Sequence, residues 1–231
     1  MKAPIPDNET QRLAALREYQ ILDTAAEQTY DDITALAAYL CNVPIAVISL
    51  VDKSRQWFKS KLGLNERETP RDVAFCAHAI LQSEPLIVRD ALKDSRFADS
   101  ALVTRAPYIR FYAGFPLASP EGFALGTLCA IDRKPRQLSA EQKQAMQSLS
   151  RQVMALLELR RVSTRLAEAL ENVKTLHGLL PICAWCKRIR DDQGYWSQVE
   201  AYFHAHAGTD FTHGICPDCF EKLRPKAPAA E

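Results

Sequence analysis

The stretch PIAVISLVDKSRQWFKSK, residues 44–61, decides the fold of this chain. Residues 44–51 form a largely apolar run rich in β-branched side chains, which is the pattern of a central strand. Residues 52–54 favour a turn, and residues 55–61 then predict an antiparallel partner strand. The sequence therefore predicts a β-hairpin at the heart of a sheet.

Helices and further strands are predicted on both sides of this hairpin. Asn8 with Gln11, and Ser139 with Gln142, have the spacing of capping boxes, which mark the starts of helices. Apolar spacing and turn residues predict helices over residues 8–20, 26–40 and 73–82, and strands over 86–88, 109–118 and 122–132. Segregated helices and hairpin-linked strands indicate an α+β fold.

A long helix is predicted from Ser139 to about residue 180, well beyond the usual length of a helix. Its apolar positions form a seam that shifts phase near Arg160 and has His177 at one position. The seam residues are Leu149, Val153, Leu156, Leu159, Val162, Leu166, Leu170, Val173 and Leu180. This spacing favours a homodimeric coiled coil, and the alternative is a monomeric helix packed on the sheet.

Four cysteines near the C-terminus form the pattern C-x2-C…C-x2-C, at Cys183, Cys186, Cys216 and Cys219. Four thiolates in two close pairs suit a tetrahedral structural Zn²⁺, one per chain, and His213 is a substitute candidate ligand. So short a module needs such a metal to fold, since it buries little core. A redox dithiol pair and unrelated buried or disulfide-bonded cysteines are the alternatives.

Composition limits the classes of function. The chain has 231 residues, 47% of them hydrophobic and 25% charged, with a net charge of +1, so no general attraction to membranes or nucleic acid is expected. No signal-peptide pattern follows Met1, and the seven cysteines of an unsecreted chain favour a reducing compartment. We therefore expect a cytoplasmic protein.

Five motifs in the first 160 residues resemble the GAF domains found ahead of bacterial histidine kinases and diguanylate cyclases. The motifs are Ile48–Asp52, Arg55–Lys59, Pro70–His78, Arg110–Leu117 and Gly126–Asp132. The C-terminal cysteine segment also resembles a module attached to bacterial sensory domains. The predicted division is a GAF sensory domain over residues 1–140, an overlapping coiled-coil linker over 139–180, a four-cysteine zinc-ribbon-like module over 181–225 and a disordered tail over 226–231.

The resemblance implies an antiparallel sheet with the terminal helices on one face and a ligand pocket on the other. Our candidate pocket residues are Trp57, Phe58, Arg71, Phe75, Cys76, His78, Arg110 and Tyr112. The resemblance does not identify the ligand. A bilin is not expected, because bilin-binding members carry a Cys-His dipeptide, whereas Ala77 separates Cys76 from His78 here. Cys129, in an apolar strand, is interpreted as a core residue.

These observations favour a cytoplasmic signalling protein without enzymatic activity, because kinase, cyclase and receiver motifs are not found. Its GAF domain would sense a small molecule or redox state, and its zinc module would contact a protein partner. A thiol-based redox enzyme or sensor using Cys76 or the Cys183/Cys186 pair is the alternative. A zinc-dependent DNA-binding regulator is weaker, because residues 177–231 carry more acidic than basic side chains.

Overall fold

The computed structural model describes residues 2–177, 180–191 and 193–223. The chain divides into two compact units, Met1–Ala167 and Glu168–Glu231. The division falls within the long helix, and the domain boundaries given above stay predictions. The tail predicted over 226–231 lies outside the described residues.

The first unit is built on one six-stranded antiparallel sheet with the strand order β3-β2-β1-β6-β5-β4. Its strands are β1 (Ile45–Val51), β2 (Arg55–Leu62), β3 (Glu68–Pro70), β4 (Leu86–Val88), β5 (Phe111–Ala118) and β6 (Ala124–Asp132). The central position of β1 and its hairpin with β2 confirm what the sequence predicts for residues 44–61.

Seven α-helices accompany the sheets of the two units in the described parts of the chain. They are α1 (Glu9–Glu18), α2 (Gln28–Cys41), α3 (Phe75–Ala79), α4 (Ala101–Thr104), α5 (Ala140–His177), α6 (Val199–Ala207) and α7 (Pro217–Leu223). The predicted α+β architecture, an antiparallel sheet flanked by helices with a long C-terminal helix, is confirmed. None of these helices combines the length and apolar character needed to cross a bilayer.

The large sheet is buried on both faces. On the first face, side chains such as Leu50 and Leu128 form a core with α1, α2 and α5. On the second face, Val47, Cys129 and Ile131 form a separate core with α3 and the loops. Successive residues of a strand point to opposite faces, which is why Leu128 and Cys129 belong to different cores.

Gly126 is required by the close approach of the two central strands. It lies opposite Leu50 in the pairing of β1 with β6. A Cβ atom at Gly126 would lie 2.0 Å from the backbone oxygen of Ser49. Any side chain there would force the strands apart, so this position admits glycine alone.

Two of the predicted helix starts differ in outcome. The Ser139–Gln142 capping box is confirmed, because the Gln142 amide donates to Ser139 Oγ at 3.2 Å and the Ser139 amide donates to Gln142 Oε1 at 3.0 Å. The Asn8 capping box is wrong, since the Asn8 side chain makes no hydrogen bond to the helix. Glu9 instead starts α1 within a network of arginines.

The helix predicted over residues 73–82 is also shorter than expected. A 3-10 turn over Arg71–Val73 precedes α3, which spans five residues. The sequence missed β3 and α4 because elements of three or four residues contain too little periodicity to be detected.

The second unit is a small assembly of short elements. Strand β7 (Ile189–Arg190) pairs with β8 (Trp196–Ser197) around a turn in which Gly194 has a φ of +90°. Helices α6 and α7 follow. Ile189 is fully buried, whereas the cysteines of this unit are half-buried or exposed. A core of this size buries little apolar surface.

Three charged side chains link the start of α1 to the 3-10 turn that precedes α3. Glu9 accepts hydrogen bonds from Arg12 Nε at 2.8 Å and Nη2 at 2.9 Å, and it also pairs with Arg71. Burial acts to raise the pKa of Glu9, but the hydrogen bonds and charges of the two arginines outweigh burial and lower the pKa from 4.5 to about 2.

We expect Glu9→Gln to remove a pH-dependent part of the stability. Because the folded pKa lies below the unfolded value of 4.5, the contribution is complete above pH 4.5 and is lost as the pH falls toward 2. With solvent screening it amounts to about 1–2 kcal/mol. Denaturant unfolding at pH 7 and pH 3 measures it. The exposed Glu84→Gln serves as the control, and equal pH dependence in wild type and Glu9→Gln would contradict the prediction.

Candidate functional site

A cavity of about 90 Å³ lies on the second face of the large sheet. It is smaller than the roughly 150 Å³ engineered cavity that takes up benzene, so it suits a molecule of few heavy atoms. Its wall is largely apolar, and exposed Glu66 and Ala106 stand at its rim. The lining residues are Val47, Gln56, Phe58, Leu64, Glu66, Thr69, Phe75, Cys76, Leu102, Ala106, Pro107, Ile109, Tyr112, Cys129 and Ile131.

Two thiols and a phenol lie close together in the cavity wall. The sulfur atoms of Cys76 and Cys129 are 3.4 Å apart. The Tyr112 hydroxyl lies 3.4 Å from Cys76 Sγ and 3.5 Å from Cys129 Sγ. Thr127 Oγ1 lies 2.8 Å from Cys129 Sγ. We call Cys76, Tyr112, Thr127 and Cys129 the thiol cluster.

Strand register brings the thiol cluster together. Cys129 on β6 lies opposite Val47 of β1 on one side and Gly114 of β5 on the other. Tyr112 and Gly114 share a face of β5, and a Cβ atom on Gly114 would lie 2.1 Å from the Tyr112 hydroxyl oxygen. The missing side chain of Gly114 therefore gives the phenol its place beside Cys129.

The pKa values of the two thiols are shifted in opposite directions. Burial acts to raise the pKa of Cys76, but donors from Cys129, Thr127, Tyr112 and Ser49 lower it to about 6. The pKa of Cys129 is raised, first by burial and then because it would have to ionise beside the Cys76 thiolate. Burial also raises the pKa of Tyr112, which therefore stays a protonated donor. Cys76 is the thiol that ionises first.

Four of the eight candidate pocket residues line the cavity, namely Phe58, Phe75, Cys76 and Tyr112. Among the other four, Trp57 packs in the core of the first face, on the opposite side of β2 from Phe58. His78 packs edge-on against Phe97 with ring centroids 4.9 Å apart. The two arginines are held elsewhere.

Arg71 and Arg110 are both engaged in ion pairs outside the cavity wall. Arg71 contacts Glu9, as described above. Arg110 Nε and Nη2 donate to the two carboxylate oxygens of Asp90 at 2.8 and 2.9 Å. The pairing lowers the pKa of Asp90. An unpaired charge in an apolar segment is costly, so a partner for each arginine was predictable.

Sequence reasoning missed Cys129, Gln56 and Thr69 as cavity residues. Cys129 is fully buried in the core of the second face, which confirms its interpretation as a core residue, and it also lines the cavity. Gln56 Nε2 donates to Thr69 Oγ1 at 2.7 Å, and Thr69 belongs to β3, which the sequence did not predict. A signal for Gln56 was available in the alternation of side chains along a strand, because Gln56 and Phe58 are two residues apart and share one face of β2.

The C-terminal cysteines form two close pairs. Cys183 accepts hydrogen bonds from the backbone amides of Cys186 and Trp185, and these lower its thiol pKa. The Cys219 amide does the same for Cys216. In the described ranges, no three or more His, Cys, Asp or Glu side chains come close enough to hold a metal. The four-cysteine site, with His213 as substitute ligand, stays a prediction.

An apolar stripe runs along the exposed side of α5. It consists of Leu159, Val162, Leu166 and Leu170, whose exposed fractions are 63%, 58%, 59% and 55%. The opposite side of the helix carries Arg161, which pairs with Glu18, Glu121 and Glu158. Because the polar side is occupied, the apolar stripe is the side of α5 that is available to a partner.

Comparisons with known proteins agree with this fold. The GAF domain family matches residues 25–157. A curated relative, a cyclic di-GMP phosphodiesterase of Pseudomonas aeruginosa, is 43% identical over 166 residues, which are 71% of this chain and 28% of that protein. The chain thus spans well under half of this relative. Because the relative is named as an enzyme, the expectation that this chain is not an enzyme is contradicted.

Two solved structures show the same fold at low sequence identity. The GAF domain of a phosphoenolpyruvate-protein phosphotransferase from Coxiella burnetii has a TM-score of 0.52 at 14% identity, over 69% of this chain and 99% of that one. The corresponding domain from Acinetobacter has a TM-score of 0.50 at 16% identity, over 67% and 98%. Sheet order, flanking helices and the match over residues 25–157 lead to one conclusion: the chain belongs to the GAF domain family.

Proposed function

We propose that this GAF protein is a sensor in cyclic di-GMP signalling, whose cavity takes up a small neutral molecule and whose long helix transmits the change within a homodimer. The observation that carries the proposal is the 43% identity to a cyclic di-GMP phosphodiesterase over 166 residues, which are 71% of this chain. That relative connects the family to a signalling system, and the cavity supplies the input.

The chemistry of the cavity wall defines the class of ligand. The wall contains no lysine or arginine within the described residues, and its one carboxylate, Glu66, is at the exposed rim. Gln56, Thr69 and Tyr112 can each exchange a hydrogen bond with an occupant. A small, uncharged, largely apolar molecule with one polar group therefore fits, whereas a dinucleotide is far too large for about 90 Å³.

Strand β6 provides a short physical path from the cavity to α5. Cys129 and Ile131 face the cavity, while Leu128 packs in the core that contains Val153 and Leu157 of α5. Packed layers of secondary structure are separated by about 10 Å, so a shift of β6 displaces the side chains that pack against α5. Tyr19 further ties α1 to α5 through a hydrogen bond to Glu158.

Filling the cavity should abolish ligand binding. We expect neutral molecules of up to about six heavy atoms to raise the melting temperature of the wild type by a few degrees at tenfold excess over Kd. Leu102→Trp, which places an indole at the cavity wall, should lose this shift. Thermal unfolding measures both.

The control for this experiment is Leu92→Trp, because Leu92 is 48% exposed and does not line the cavity. It should respond to the ligand as the wild type does. A ligand that stabilises Leu102→Trp and the wild type equally binds elsewhere, and the cavity would then not be the sensory site.

The apolar stripe of α5 supports a homodimer as the transmitting unit. Its residues follow one another at intervals of three and four, which is the spacing of a coiled-coil seam. A second copy of this chain is the occupant best suited to the stripe, because two identical stripes can interdigitate along a shared axis. Exposed aliphatic side chains in such a row are otherwise unfavourable in water.

We expect Leu166→Lys to convert the dimer to a monomer, because it places a charge in the seam. Sedimentation should give a mass of about twice 25.9 kDa for the wild type and about 25.9 kDa for the variant. Thr164→Lys introduces the same charge on the other side of α5 and should remain dimeric. A monomeric wild type would refute the role of the stripe.

A structural zinc ion is the second component of the proposal, for the C-terminal unit. The amides that point at Cys183 and Cys216 favour thiolates, which are the form that binds Zn²⁺. Lys187, with a φ of 59°, closes the turn of the first pair, and its amide donates to the Cys183 carbonyl at 2.9 Å. Each pair thus offers two of the four ligands, and the module would serve to bind a protein partner.

Metal removal should unfold the second unit alone. We expect about one zinc per chain by elemental analysis, lost in Cys216→Ser but retained in Cys41→Ser. Chelation should change the fluorescence of Trp185 and Trp196, which are 94% and 47% exposed. The first unit should keep its unfolding transition. Zinc-free wild type with freely reactive thiols would instead favour the redox interpretation of these cysteines.

Hydrolysis of cyclic di-GMP by this chain is a second candidate function, favoured by the name of the curated relative. The match covers 28% of that protein, so it does not by itself assign the activity to the shared segment. Incubating the purified chain with cyclic di-GMP, and following substrate loss by chromatography, tests this. Turnover in proportion to chain concentration would place catalysis within these 231 residues.

A further inference from the structure

Cys76 and Cys129 are placed for a reaction with each other. They come from α3 and β6, are 53 residues apart in the chain, and have sulfur atoms 3.4 Å apart. A disulfide bond is about 2.04 Å long, so the sulfurs need to approach by about 1.4 Å. Side-chain rotation and a small shift of the short helix α3 supply that movement.

Both sulfurs can be reached through the cavity. Cys76 is 4% exposed and Cys129 is fully buried, but both line the cavity wall, which extends to the exposed rim at Glu66 and Ala106. Hydrogen peroxide has two heavy atoms and fits within about 90 Å³ with room to spare. Cys41 differs, because it is buried in the core of the first face and does not line the cavity.

The thiol cluster also assigns different roles to the two cysteines. The Tyr112 hydroxyl and other donors surround Cys76, which favours its thiolate, the nucleophilic form. Cys129 keeps its proton more firmly. This is the arrangement of an attacking thiol beside a resolving thiol. Burial raises the pKa of Cys41 to about 11, which leaves that thiol unreactive.

We propose that Cys76 and Cys129 form a peroxide-responsive dithiol switch in the cavity wall, oxidised by hydrogen peroxide. The Cys76 thiolate attacks one peroxide oxygen, the O–O bond breaks, and the departing hydroxide takes up a proton to become water. The Cys129 sulfur then attacks the Cys76 sulfenic acid, and the S–O bond breaks. Its oxygen leaves with the Cys129 proton as a second water. Two thiols lose two electrons, and peroxide is reduced to two waters.

Disulfide formation would remodel the cavity that receives the proposed ligand. It removes two sulfur partners of Tyr112 and draws α3 toward β6. This regulatory consequence rests on the sensory role proposed above, whereas the chemistry of the pair does not. The two proposals can be separated by experiment. A crosslink that forms without any ligand effect would support the switch alone, and ligand binding without a crosslink would support the sensory role alone.

Peptide mapping of the full chain tests the switch without interference from the other five cysteines. Trypsin places Cys76 in peptide 72–89, Cys129 in peptide 111–133 and Cys41 in peptide 18–53. After peroxide treatment and blocking of free thiols, we expect a crosslinked 72–89/111–133 species that reductant removes. Cys41 should stay reduced. Cys76 and Cys129 remaining reduced while the peroxide is consumed at other cysteines would overturn the proposal.

Variants identify the role of each residue. Cys129→Ser should stop the reaction at a Cys76 sulfenic acid, which a dimedone probe traps, and Cys41→Ser should crosslink as the wild type does. Tyr112→Phe keeps the ring but removes one donor to Cys76, and we expect it to slow crosslinking roughly tenfold at pH 6. An unchanged rate in folded Tyr112→Phe would show that the hydroxyl does not activate Cys76.

Discussion

Because both faces of the large sheet are buried, the alternation of side chains along its central strands governs the rest of the structure. Along β1, Ile48 and Leu50 face the helical core, whereas Val47 and Val51 face the cavity side. A slip of one residue would exchange the two sets, so the register is strongly specified. Gly126 fixes it further, since this position must meet the backbone of Ser49.

The burial of both faces of the large sheet also explains where charged side chains are found in the first unit. Lys59, fully buried on the helical side of β2, donates to Thr24, the Ala25 carbonyl and Glu27. A lysine can occupy this position because the loop before α2 satisfies all its donors. Glu27 in turn accepts from Arg160 of α5. Buried charges therefore connect the sheet to the helices, while the cavity face keeps uncharged polar groups.

The fold was predictable from the sequence because its signals are local. Three short signals each predict an element within a few residues. They are the run at residues 44–51, the turn at 52–54 and the Ser139–Gln142 capping box. Pairings between distant segments were not predictable in the same way. Neither the contact of Arg71 with Glu9 nor that of Arg110 with Asp90 has a signature in spacing.

In the candidate site, too, contacts between distant segments were not predictable from the sequence. Phe58, Phe75, Cys76 and Tyr112 were identified through resemblance, and they do line the cavity. Cys129 was missed, because an apolar strand residue carries no sign that its sulfur will meet another. The meeting depends on β6 lying between β1 and β5, and on Gly114 leaving space for Tyr112. Such information resides in the sheet order.

The position of the thiol cluster gives its chemistry mechanical significance. Cys129 is on β6, the strand whose opposite face contacts the core of α5, so a change of about 1 Å at its sulfur acts on a layer that is tightly packed on both sides. A close-packed sheet shifts as a unit, because its side chains have little free volume to absorb the change. Ligand entry and thiol oxidation would therefore act on the same strand, and α5 would respond to either through the same contacts.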